Sequence, residues 1–127
     1  MWYKSPVEFI ESLAFTRRLS HLLGETADAV LQEIQEDLQA NPLRGPLVRG
    51  LGGIRKARHS DPARKKGKRG GLRYLYVYLE RREHIHLLYL FAKNEEEDLT
   101  QQERAWLREL AEHLESAEVR QWQGRSK

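Results

Sequence analysis

Leu72-Arg73-Tyr74-Leu75-Tyr76-Val77-Tyr78-Leu79 is the stretch whose reading decides the fold. Its aromatic and aliphatic residues alternate with a period of two, the pattern of a strand in the middle of a sheet. Working outward, Glu80 to Glu83 form a charged turn into His84 through Ala92, a second long strand, so the two pair as a hairpin. On the other side the same period begins at Ile54, where Ile54, Lys56 and Arg58 point one way and Arg55, Ala57 and His59 the other. A polar loop from Ser60 to Gly71 separates this strand from the central one.

Further out the period lengthens. Leu13, Thr16, Leu19, Leu22 and Leu23 recur at helical spacing up to Gly24, behind a short alternating run, Val7 to Ile10, that reads as a first strand. Thr26 is placed to cap a second helix with Ala27, Val30, Leu31, Ile34 and Leu38 on its apolar face, closed by Asn41-Pro42. Pro42 to Gly53 holds two prolines and four glycines and reads as a surface connection. Thr100-Gln101-Gln102-Glu103 has capping-box spacing ahead of Trp106, Leu107, Leu110, Ala111 and Leu114, a third helix. The expected order is β-α-α-β-β-β-α: an α+β domain with an antiparallel sheet, helices mainly on one face, and the other face available.

A chain of 127 residues with 39% apolar composition fits a single domain over residues 1–127, with a polar tail at 116–127 expected to fray. No cysteine is present, which excludes disulfides, thiolate metal sites and a cysteine nucleophile. The first residues carry no apolar run of the signal-peptide kind and no stretch is long enough to span a bilayer, so a cytoplasmic protein without a membrane partner is expected.

The net charge of +3 hides a segregation. Between Arg55 and Arg73 stand nine basic residues (Arg55, Lys56, Arg58, Arg64, Lys65, Lys66, Lys68, Arg69 and Arg73) against one acid, Asp61, while the rest of the chain carries 13 basic residues against 18 acidic. A concentrated positive patch on an acidic body attracts a polyanion to one place and repels it elsewhere. Cations on rigid strands present a fixed geometry to phosphates, and the glycine-rich loop carrying Arg64, Lys65, Lys66, Lys68 and Arg69 can close over them. Nucleic-acid backbone binding follows.

Other clusters have plainer explanations. Tyr74, Tyr76 and Tyr78 share one strand face and Arg73, Leu75, Val77 and Leu79 the other; either can be buried. Tyrosines that finish a core with their hydroxyls at its rim are the ordinary case, and base stacking is the functional alternative. His84 and His86 point the same way but lack an evident third metal ligand. Glu95-Glu96-Glu97-Asp98 precedes the last helix, where carboxylates favour the positive end of its dipole, so no metal and no cofactor is expected.

Taken together, Gly52-Gly53-Ile54-Arg55-Lys56-Ala57-Arg58, then Lys66 through Tyr76, then Phe91-Ala92-Lys93-Asn94 and the acids after it resemble the RelE superfamily of bacterial toxins, most nearly its HigB-like branch, over about Val7 to Leu114. The resemblance implies a RelE-like fold and a toxin of a type II toxin–antitoxin pair, held by a cognate antitoxin. It further implies an endoribonuclease that cuts messenger RNA in the ribosomal decoding site, without a metal, through attack of the ribose 2′-hydroxyl on the adjacent phosphorus. Two basic family positions fall on Lys56 and Arg58, and the arginine opening the next strand falls on Arg73. Lys93-Asn94 stands where other members carry a further arginine, and a catalytic tyrosine in the final segment has no counterpart near Thr100. The implied catalytic set is Lys56, Arg58, Arg73, Lys93 and Asn94, with Arg55 and the loop cations binding nucleic acid. Of these, Lys56 is the proton-transfer candidate. Two other functions fit the pattern: a non-enzymatic toxin like the gyrase-poisoning ParE branch, and a plain RNA- or DNA-binding module.

Overall fold

The computed structural model describes residues 6–59, 71–92 and 99–125, with the side chains of the last helix described as far as Glu118. Seven apolar and aromatic residues and Arg73, Leu72–Leu79, make β3, which pairs antiparallel with β2 (Arg55–His59) on one side and β4 (His84–Ala92) on the other. β1 (Glu8–Glu11) lies beyond β4, giving the order β1-β4-β3-β2. The helices are α1 (Leu13–Leu23), α2 (Ala27–Ala40) and α3 (Gln101–Arg125).

The α+β class and the element order match the sequence expectation, with two corrections. The sheet is not wholly antiparallel: β1 runs parallel to β4, in register Glu8 with His84 through Glu11 with Leu87. A parallel neighbour needs a long crossover, and everything between β1 and β4 supplies it. Nor is the second face left open along its length. α1 and α2 cover one face, packing Phe15, Leu19, Val30, Ile34 and Leu38 on Ala57, Tyr74, Tyr76, Ile85, Leu87 and Leu90. α3 packs Leu107 and Ala111 on the other, against Leu75, Val77, Leu79, Leu88 and Phe91.

Local signals are met with small exceptions. Thr100 and Glu103 form the reciprocal capping box, Glu103 N–H donating to Thr100 Oγ1 at 3.0 Å and Thr100 N–H to Glu103 Oε1 at 2.8 Å. Thr26 does not cap α2; its hydroxyl donates back to the Leu23 carbonyl at 3.0 Å, because residues 24–26 form a short 3-10 turn continuing α1. Ser12 is a cap the sequence reading passed over. Its Oγ accepts from Phe15 N–H at 3.0 Å and donates to the Leu88 carbonyl at 2.7 Å. Leu88 sits where the β3–β4 register shifts, Leu75 facing Tyr89 and Tyr76 facing Leu87. That bulge sends both Leu88 and Tyr89 toward the α3 side. The tail expected to fray is helical through Arg125: Glu118 accepts the Arg82 N–H of the β3–β4 turn at 3.2 Å and gives α3 a hold beyond its apolar stripe.

A candidate phosphate site at the end of the sheet

The strand periodicity places the basic residues. Ala57 and His59 turn into the core under α2, which leaves Lys56 and Arg58 on the opposite face of β2 with Ile54. The β2–β3 ladder sets Arg58 directly across from Arg73, and Lys56 across from Leu75. α3 crosses this face over Leu75, Val77 and Leu79, so the three cations lie where the apolar contacts end. There Arg44, Pro46, Lys56, Ala57, Arg58 and Arg73 line one cavity of about 380 Å³.

The cations occupy different depths. Arg58 is exposed, Lys56 half-buried, and Arg73 only 6% exposed, so Arg73 forms the floor and not the open surface expected for it. Its Nη1 makes a long contact of 3.4 Å with the Leu72 carbonyl and passes Gly71, where a Cβ would stand 3.2 Å from it. A buried guanidinium is stiff, and stiffness gives a bound phosphate one defined place.

One wall of the cavity comes from the 41–53 connection, which is no loose surface loop. Pro42, Gly45 and Leu51 are buried in it. Lys56 N–H donates to the Pro46 carbonyl at 3.0 Å and Val48 N–H to the Ile54 carbonyl at 2.9 Å, so the connection pairs along the outer edge of β2. Gly45 permits that approach, since a Cβ there would lie 2.7 Å from the Lys56 carbonyl oxygen.

The tyrosine side of β3 fastens the same wall. Tyr76 Oη donates to the Pro42 carbonyl at 2.8 Å and accepts from Gly45 N–H at 3.0 Å. Tyr74 Oη accepts from Arg44 Nη1 at 2.9 Å, and the same nitrogen donates to the Arg58 carbonyl at 2.9 Å. Both rings are fully buried, which rules out base stacking on them and matches the core role. Burial pushes the Tyr74 hydroxyl up to about 12 against the pull of nearby Arg44, and burial raises Tyr76 as well.

Arg55 points to the Tyr76 side, outside the cavity lining, and donates from Nη1 to the Gly45 carbonyl at 2.8 Å. The other expected residues, Arg64, Lys65, Lys66, Lys68, Arg69, Lys93 and Asn94, lie outside the described residues. β2 and β4 end at the cavity end of the sheet, at His59 and Ala92, both paired with Leu72. His84 and His86 sit at the opposite end of β4, with His84 Nε2 at 3.6 Å from Glu8 Oε2. Burial, then His84, lowers the pKa of His86. Among the described residues no group of three or more acidic or histidine side chains is placed to hold a metal ion, and no helix is long and apolar enough to cross a membrane.

Arg44 is the lining residue that the sequence reading missed. An arginine among prolines and glycines gives no local signal; only the fold brings it to β2 and β3.

Residues 24–124 match the family described as the RelE toxin of the RelE / RelB toxin-antitoxin system. Among solved structures, the chain superposes on a mutant of the E. coli toxin RelE in the free state with a TM-score of 0.53 at 11% identity, covering 73% of this chain and 90% of that one. It also superposes on a chain of the toxin-antitoxin complex RelBE2 from Mycobacterium tuberculosis, with a TM-score of 0.54 at 24% identity, covering 69% of this chain and 99% of that one. At these identities the superpositions establish a shared fold.

Proposed function

The chain belongs to the RelE toxin family of toxin–antitoxin systems, and from that premise we propose that it is a ribosome-dependent messenger RNA endoribonuclease of the HigB-like branch, acting as a single domain in the cytoplasm. The observation that carries the reading is the convergence of Lys56, Arg58 and Arg73 on one cavity at the end of the sheet.

In the proposed reaction the ribose 2′-oxygen attacks the adjacent phosphorus as its proton is withdrawn, and the bond to the 5′-oxygen breaks. The products are a 2′,3′-cyclic phosphate and a 5′-hydroxyl, whose oxygen takes up a proton. The phosphorus passes through a state with extra negative charge, and donors already fixed around it lower that barrier most. Arg73 and Arg58 fill this role: one is held rigidly at the floor and the other stands across the ladder from it. Lys56 moves a proton in this reading, which its position in the lining of the same cavity supports. Lys93 and Asn94, beyond the end of β4, position the RNA, while Arg64, Lys65, Lys66, Lys68 and Arg69 dock the toxin on ribosomal RNA. Arg55 holds the cavity wall and adds positive potential behind it.

The partner in this reading is a cognate antitoxin whose acidic or amphipathic segments cover the basic patch or pack on the helix pair. The M. tuberculosis relative was crystallised in a toxin-antitoxin complex, which supports that expectation.

Primer extension on messenger RNA after brief induction tests the activity. New 5′ ends within translated codons are expected from the wild type and none from Arg73→Ala of unchanged circular dichroism. A folded Arg73→Ala protein that still cut at wild-type rate would refute the assignment, and gyrase-linked DNA damage without new ends would mark a gyrase poison instead.

A further inference from the structure

Arg44 presents an unusual combination, a side chain that is exposed yet tethered. Both hydrogens of its Nη1 are committed, one to the Tyr74 hydroxyl and one to the Arg58 carbonyl, each at 2.9 Å. A guanidinium has five N–H donors in a plane. Among the described residues the other three, on Nε and Nη2, have no hydrogen-bond partner, and the residue lines the cavity beside Lys56, Arg58 and Arg73. The Nε–Nη2 edge is the fork that grips two oxygens of one phosphate at once. Fixing the opposite edge removes much of the rotamer entropy that an exposed arginine would lose on binding.

The tether also sets where that fork sits. It hangs from the wall formed by the 41–53 connection, whereas Arg58 and Arg73 rise from the strands, so the one cavity is lined by cations on two separate supports, as successive phosphates of a polymer would need. Resting on the nuclease reading above, we propose that Arg44 is a second phosphate subsite, which grips the phosphate neighbouring the scissile one and so requires a polynucleotide in place of a lone phosphodiester.

Single-turnover cleavage on programmed ribosomes tests this, with messenger RNAs that carry one uncharged methylphosphonate on either side of the scissile phosphate. Wild type should lose about tenfold in rate or more at one of the two neighbours, the scale of one charge-assisted contact. Arg44→Ala should be slower on unmodified RNA and indifferent to that methylphosphonate. Arg44→Lys, which keeps a charge without the fork, should fall between. Tyr74→Phe removes one tether but no donor of the fork, and should keep the methylphosphonate penalty.

If Arg44 merely braced the wall, Arg44→Ala would slow every substrate by one factor and the penalty at the neighbour would persist, overturning the subsite while the nuclease reading stood. Equal rates for wild type on both modified RNAs would overturn it too. No cleavage by wild type on any RNA would remove the nuclease reading and the subsite with it.

Discussion

Arg58 on β2 and Arg73 on β3 are direct partners across an antiparallel ladder, two guanidinium-bearing residues at facing positions. Like charges so placed work against the sheet, and an anion between them reverses the sign of the interaction. The protein should therefore melt at higher temperature in phosphate than in chloride of equal ionic strength. Saturation to about 100 times the dissociation constant adds about 2.7 kcal/mol by mass action. Arg58→Gln, at the exposed member of the pair, should lose most of that difference; an unchanged phosphate effect would show that the anion binds elsewhere.

Gly45 is a test of the cavity wall. A Cβ at this position meets the Lys56 carbonyl oxygen at 2.7 Å, and backbone cannot swing aside as a side chain does. Gly45→Ala should cost about 1–3 kcal/mol, the usual scale of overpacking, seen as a lower denaturant midpoint at unchanged slope. Wild-type stability would mean that the connection does not hold to β2 in solution.

The buried tyrosines predict a loss of stability in alkali. An unfolded tyrosine ionises near the ordinary value of 10.0, whereas Tyr74 in the fold keeps its proton to about 12. Between those values the native state binds the extra proton, so unfolding becomes easier as pH rises, by about 1.4 kcal/mol per pH unit for each such group. Tyr76, raised by the same cause, adds to the slope. Chemical denaturation from pH 9 to 12 should show the decline, and Tyr74→Phe should make it shallower by about one proton. Equal slopes in the two proteins would contradict the burial of the Tyr74 hydroxyl.

Ser12 joins a helix start to a bulge. Ser12→Ala removes the bond to Phe15 N–H and leaves the Leu88 carbonyl short of a donor. A lost cap costs about 1 kcal/mol and a lost bond to the bulge about as much again, so a loss of about 2 kcal/mol is expected by urea denaturation. Faster amide exchange should appear along β1 and the start of α1 and leave β2 unchanged; uniform exchange rates would argue that the bulge is held by β3 alone.

The parts of the fold legible in the sequence are those set by neighbours. The change of period at Ile54, the tyrosine strand and the Thr100–Glu103 box are patterns of a few residues, and local geometry follows them. The site was legible as far as Lys56, Arg58 and Arg73, because alternation on two paired strands fixes which face each takes. What escaped depends on residues far apart. The parallel pairing of β1 rests on β4, and the placement of α3 on the second face rests on which apolar stripe the bulge at Leu88 supplies. Arg44 escaped for the same reason: its two partners, Tyr74 and the Arg58 carbonyl, lie 30 and 14 residues further along.

The long reach from Ser12 to Leu88, 76 residues, has a consequence for how the chain folds as it is made. Closing so large a loop is slow, and the first strand cannot find its place until β4 has left the ribosome. The residues that line the cavity, Arg44 to Arg58 and Arg73, by contrast, gather on one local strand pair, β2 and β3. The cation-lined cavity can take shape before the amino-terminal edge of the sheet is sealed, so the nascent chain gains that cavity early and its structural closure last.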